Sequence, residues 1–120
     1  MNRMIKLTSL LLLVVLCVGV LASCGISSYE KRLEKAGYTV IAAEKDELKE
    51  YDEADTDYGY KKMSAATKGA DYVYVVKLQN KKQAKLYAEE CATVEKWTTE
   101  TKGSVVVFGS EAAVKAAFGE

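Results

Sequence analysis

Between Glu44 and Asp57 the chain carries eight carboxylates: Glu44, Asp46, Glu47, Glu50, Asp52, Glu53, Asp55 and Asp57. Only Lys45 and Lys49 dilute them. Carboxylates at this density can hold a divalent cation, or divide acid and base roles where burial drives their pKa values apart. The spacing does not build a cation loop. A twelve-residue calcium loop needs glycine at position six and glutamate at position twelve. Counted from Glu53, Gly59 arrives one place late and position twelve is Ser64; counted from Asp52, those positions hold Asp57 and Met63. Nothing in the pattern implies that Asp55 and Asp57 are buried, so the stretch reads as a solvated acidic loop with no metal ligands.

Other reactive side chains lack the company they need. The sequence has no histidine, which removes the commonest general base and the commonest metal ligand together. Ser27, Ser28 and Ser104 therefore have no imidazole to activate them. Cys91 falls on a helical stripe with Ala84, Tyr87, Ala88, Val94 and Trp97. No base on that stripe would lower its thiol pKa, and a small buried hydrophobe is the expectation. Glycine-rich phosphate loops and CxxC pairs are absent from the sequence, and with them the usual signs of cofactor binding. These residues describe a protein that is not an enzyme and has no cofactor.

The N-terminus carries a different chemistry. Arg3 and Lys6 precede an apolar run from Leu7 to Leu21, then Ala22, Ser23, Cys24 and Gly25. A positive start, a short apolar stretch and a small-residue exit describe an export signal. The order Leu21-Ala22-Ser23-Cys24 resembles the lipobox of bacterial lipoproteins. That resemblance implies a diacylglyceryl group on the Cys24 sulfur, cleavage between Ser23 and Cys24, and a mature chain that begins at Cys24. The division expected is 1–23 as cleavable signal helix, 24–27 as lipidated tether and 28–120 as one small domain. An uncleaved span is the alternative, since Leu7 to Ile26 is 20 residues without a charge and about 20 suffice to cross a bilayer. Either anchor places the rest of the chain at the outer face of the cell membrane.

The elements that follow must form one core from the 97 residues after Ser23. Cys17 leaves with the signal and Cys24 is lipidated, so Cys91 stands alone and no disulfide supports the fold. Ser27 and Glu30 read as a capping box for a helix from Ser28 to Ala36, closed by Gly37. Tyr38 to Ala43 reads as a strand, Glu44 to Tyr51 as a short helix, and Tyr58 to Thr67 as a partly exposed strand. Lys68 to Asp71 is a tight turn before the strand Tyr72 to Leu78. Asn80 caps the longest helix, whose stripe reaches Trp97; Thr98 to Gly103 is a polar connection. Ser104 to Phe108 is a short strand buried on both faces, and Ser110 opens a last helix with Val114, Ala117 and Phe118 on one side. The fold class is α+β. The succession matches a ferredoxin-like split βαβ arrangement, an antiparallel sheet backed by helices; another α+β sandwich is the alternative. Val73, Val75, Val105, Val107, Tyr87, Cys91 and Val94 should form the core, with Leu33 and Phe118 nearby.

Lys68 to Val75 resembles part of the strand signature of RNA-recognition motifs at Lys68, Gly69, Tyr72 and Val73. Ala70 and Val75 stand where that family has aromatic residues, and Asp71 would repel phosphate; no nucleic-acid partner is expected. The mature chain is similar to small Gram-positive lipoproteins, a resemblance that implies no activity. Its charge is uneven: Glu44 to Asp57 sums to −6 and the rest after Ser23 to +4. The functional expectation is a membrane-anchored extracytoplasmic binding or interaction module, non-catalytic, held by lipid on Cys24. Its acidic loop, or Lys61-Lys62 and Lys81-Lys82-Lys85, would meet an extracytoplasmic protein partner. A small-molecule-binding accessory lipoprotein and a carboxylate-dependent enzyme are the alternatives.

Overall fold

The computed structural model describes residues 26–43 and 58–120. Cys24, the leader, the short helix expected over Glu44 to Tyr51 and the acidic loop lie outside the described residues. The elements are α1 (Ser27–Lys35), β1 (Thr39–Ala42), β2 (Lys62–Lys68), β3 (Asp71–Lys77), α2 (Lys81–Cys91), β4 (Thr98–Lys102), β5 (Val105–Gly109) and α3 (Glu111–Ala117). The strands form one sheet in the order β1-β2-β3-β5-β4, and every neighbouring pair is antiparallel. The α+β class with an antiparallel sheet and packed helices is therefore as expected.

A split βαβ unit is present, but the strand that follows its helix is Thr98–Lys102, which the sequence reads as a connection, and the expected strand over Ser104 to Phe108 is the one inserted. β3 and β4 both run antiparallel to β5, hence parallel to each other, with α2 joining them and β5 inserted between. The difference comes from β4. Its residues are polar and half-buried or exposed, so Thr98 to Gly103 carries little apolar signal. Three β-branched threonines followed by a glycine turn are its local signature. The hairpins at Gly69-Ala70 and Gly103-Ser104 both place glycine at the first central position, at φ 61°. Neither Ala70 nor Ser104 has a positive φ, so both are type II′ turns, whose twist suits two-residue hairpins.

Both faces of the sheet are apolar, because the central strands alternate large side chains to either side. Val73, Val75, Val105 and Val107 lie against α1 and α3, with Leu33, Val114 and Ala117. Tyr74, Val76, Val106 and Phe108 lie against α2, with Ala84, Tyr87 and Cys91. Val94 and Phe118, expected in the core, are half-buried at its rim.

Helix boundaries follow local chemistry. α1 closes with Gly37 N–H to Glu34 O at 3.0 Å and Tyr38 N–H to Leu33 O at 2.9 Å, the paired bonds of a Schellman end. Its start is not the expected capping box. Ile26 is the N-cap, without a side-chain hydrogen bond, while Glu30 turns inward and accepts from Ser64 Oγ. Asn80 caps α2 as expected, its Oδ1 accepting from Gln83 N–H at 2.8 Å. α2 stops at Cys91 rather than reaching Trp97. Thr93 Oγ1 bonds Glu90 O at 2.7 Å, competing for a carbonyl the helix would use. Tight turns at Val94 and Trp97 follow, which keep both side chains on the stripe side. At Gly109 the strand passes so close to β3 that a Cβ would lie 2.3 Å from Tyr72 O; only glycine fits. Ser110 Oγ bridges the same place, accepting from Tyr72 N–H at 2.9 Å and donating to Tyr72 O at 3.0 Å.

Candidate functional site

The reactive candidates of the sequence do not converge. Ser27 and Ser28 are exposed on the first turn of α1, and Ser104 is half-buried in the β4–β5 turn. Cys91 is fully buried, and burial, reinforced by the charge of Glu90, pushes its thiol far above the ordinary value. A thiol held protonated is a packing group. Among the described residues no three His, Cys, Asp or Glu side chains gather to hold a metal. Tyr74, which lies within the strand-signature stretch but not at one of its aromatic positions, stacks on Phe108 at 4.8 Å and is 1 % exposed. Tyr72 accepts from Trp97 Nε1 at 2.8 Å.

The structure instead offers a site at the free edge of the sheet. β4 has no neighbour beyond β5 among the described strands. The register sets which of its backbone groups face out. Leu78 N–H to Ser104 O and Ser110 N–H to Tyr72 O bracket the pairs Lys77↔Val105 and Val73↔Gly109. Val105, Val107 and Gly109 therefore direct their backbone groups to Lys102, Glu100 and Thr98 of β4. By alternation, the N–H and C=O groups of Thr99 and Thr101 point away from the sheet.

Beside these groups runs a groove of about 280 Å³ between β4 and the flank of α2, lined by Lys85, Ala88, Glu89, Ala92, Thr99 and Thr101. The helical spacing of Lys85, Ala88, Glu89 and Ala92 puts them on one side of α2. Ala88 and Ala92 are small, which leaves room for incoming side chains. Thr99 adds a buried Oγ1 without a hydrogen-bond partner. On the other face of β4, Glu100 and Lys102 are exposed. Of the lysines expected to meet a partner, Lys85 alone joins this groove; Lys81 and Lys82 are exposed at the start of α2. Lys61 is exposed, and Lys62 is half-buried at the start of β2.

A second groove, of about 360 Å³, lies between the C-terminal ends of α1 and α3, lined by Arg32, Lys35, Ala36, Ala116, Gly119 and Glu120. Arg32 donates to Ala117 O at 3.2 Å and covers the Tyr29 ring at 5.5 Å. Its role there is to close a helix end. No helix among the described residues is long and apolar enough to cross a membrane. No protein-family model, curated protein or solved structure matches the chain.

Proposed function

We propose that this chain is a membrane-anchored extracytoplasmic lipoprotein, lipidated at Cys24, and that it works as a non-catalytic binding module. The β4 edge takes an extended segment of an extracytoplasmic protein partner. The observation that supports this reading is the pair Thr99 and Thr101, whose outward N–H and C=O groups stand beside the α2 groove. Strand addition draws affinity from such main-chain bonds and specificity from pockets for alternate side chains. Charge selects the occupant. If two copies paired through these four groups, Glu100 would oppose Glu100 of the second copy, a destabilising cross-strand contact. A partner with Lys or Arg opposite Glu100 is favoured instead, and its neighbouring side chains enter the groove over Ala88 and Ala92.

Proline scanning of β4 in the full-length, membrane-bound protein tests this. Proline is tolerated on an edge strand where its nitrogen faces outward. Thr101→Pro should therefore leave the unfolding midpoint nearly unchanged and abolish in-cell crosslinking to the partner. Glu100→Pro, which removes a bond to β5, should cost about 1–3 kcal/mol of stability. Undiminished crosslinking in Thr101→Pro would refute the edge as the site. The anchor is tested separately. Intact mass should show a diacylglyceryl-bearing Cys24, and Cys24→Ala should leave the longer precursor.

A further inference from the structure

We infer that the outer face of α1 lies on anionic lipid headgroups and orients the domain so that α2 and the β4 edge face away from the membrane. This deepens the lipoprotein reading and rests on the anchor at Cys24. The chain enters the fold at once. Ile26 is fully buried, and its carbonyl accepts from Tyr29 and Glu30 N–H at 3.1 and 3.2 Å. Only Gly25 separates it from Cys24. Two residue links reach at most about 7 Å, less than the roughly 10 Å breadth of one helix. The start of α1 is therefore held at headgroup depth and cannot turn away.

The side chains α1 shows to solvent fit that position. They are Ser27, Ser28, Lys31, Arg32, Glu34 and Lys35. Lys31 and Lys35 are one turn apart on one stripe. The helix has a second acid, but Glu30 is 3 % exposed and turned inward, bonded by Ser64. Three cations and one carboxylate remain on the outside. α2 also carries lysines, at Lys81, Lys82 and Lys85, yet it packs on the opposite face of the sheet. A tether of two links cannot bring both faces to the bilayer. Acyl chains and a basic patch act as paired membrane signals, and each lysine near an anionic surface favours the docked pose roughly fivefold.

The test uses the natively processed full chain on vesicles of phosphatidylcholine with and without phosphatidylglycerol. A fluorescent amino acid replaces Ser28 or Leu86, the latter 45 % exposed on α2. Access of a water-soluble quencher is then compared. On vesicles with phosphatidylglycerol, the probe at 28 should be quenched at least roughly fivefold less than the probe at 86. K31E/K35E, or phosphatidylcholine alone, should bring the two close to parity. Equal access on anionic vesicles, shielding at 86 rather than 28, or a ratio unmoved by K31E/K35E would each overturn the orientation. Intact mass of the bound protein judges the lipid anchor independently. An uncleaved leader would also hold Ile26 at the bilayer, so the quenching ratio decides the orientation in either case.

Discussion

The two faces of the sheet are built from different materials. The α2 face is aromatic: Tyr58, Tyr60, Tyr74, Tyr87 and Phe108 are buried there, with Tyr72 and Trp97 half-buried against them. The α1/α3 face is mainly aliphatic and small, with four valines of β3 and β5, Leu33, Val114, Ala113 and Ala117, and its rings are fewer: Tyr29 and Tyr38 buried and Phe118 half-buried. The difference follows from coverage. Five strands make a sheet about 20 Å wide, and one helix about 10 Å across covers half of it. Two helices on the aliphatic side close that width, and their alanines let them approach. Among the described residues one helix lies on the other side, and large rings fill the space beside it. Tyr87 does this as a hub, edge-on to Tyr58 at 5.0 Å, Tyr60 at 5.7 Å and Phe108 at 5.9 Å. Tyr58 also donates to Glu90, clamping the segment before β2 onto α2. Filling by rings has a geometric consequence at the β4 side, where Ala88 and Ala92 replace rings and the groove remains.

If the aromatic hub carries its face, Tyr87→Ala should cost about 3–5 kcal/mol. Against a total stability of about 5–15 kcal/mol, the unfolding midpoint in urea should fall markedly. Val107→Ala, a smaller cavity on the aliphatic face, should cost about 2 kcal/mol. Equal costs at the two positions would end the distinction between the faces.

A smaller effect separates the faces by pH. The Cys91 thiol is raised in the folded protein by burial, then by Glu90. Its contribution to stability is full below the ordinary value of 9.0 and is lost as pH rises above it, because the unfolded thiol ionises first. Tyr29 and Tyr38, on the aliphatic face, are also raised by burial, from an ordinary value of 10.0. Between pH 9 and 10 the alkaline loss should therefore come from Cys91, at a slope of up to about 1.4 kcal/mol per pH unit. Urea titrations of Cys91→Ala should lack that slope; an unchanged slope would place its origin elsewhere. The least change is expected from Tyr72→Phe. It removes the acceptor of Trp97 Nε1 at a cost of about 1 kcal/mol, with an altered Trp97 emission. Unchanged emission would show that the bond does not hold the indole.

Much of this was legible along the chain. Val73 to Val76 and Val105 to Phe108 read as strands because β-branched and aromatic runs suit a pleated surface with both faces covered. Gly37, Gly69 and Asn80 marked their ends by local chemistry that needs no distant partner. The burial of Cys91 followed from its place on the α2 stripe. The candidate site was not legible. β4 is polar, and what makes Thr98 to Lys102 a strand is the ladder with β5, which forms only after the turn at Gly103 brings the two together.

The order of residue types thus determined where the chain stiffens, turns and reverses, since propensities, caps and glycine turns act over a few residues. Tertiary structure alone decided which strand stands at the edge, which side of α2 is left open, and that Glu30 points in to Ser64 rather than back to cap its helix. Each of those depends on contacts between residues far apart in sequence. A hydrogen bond made across 34 positions leaves no periodic trace in either segment that makes it.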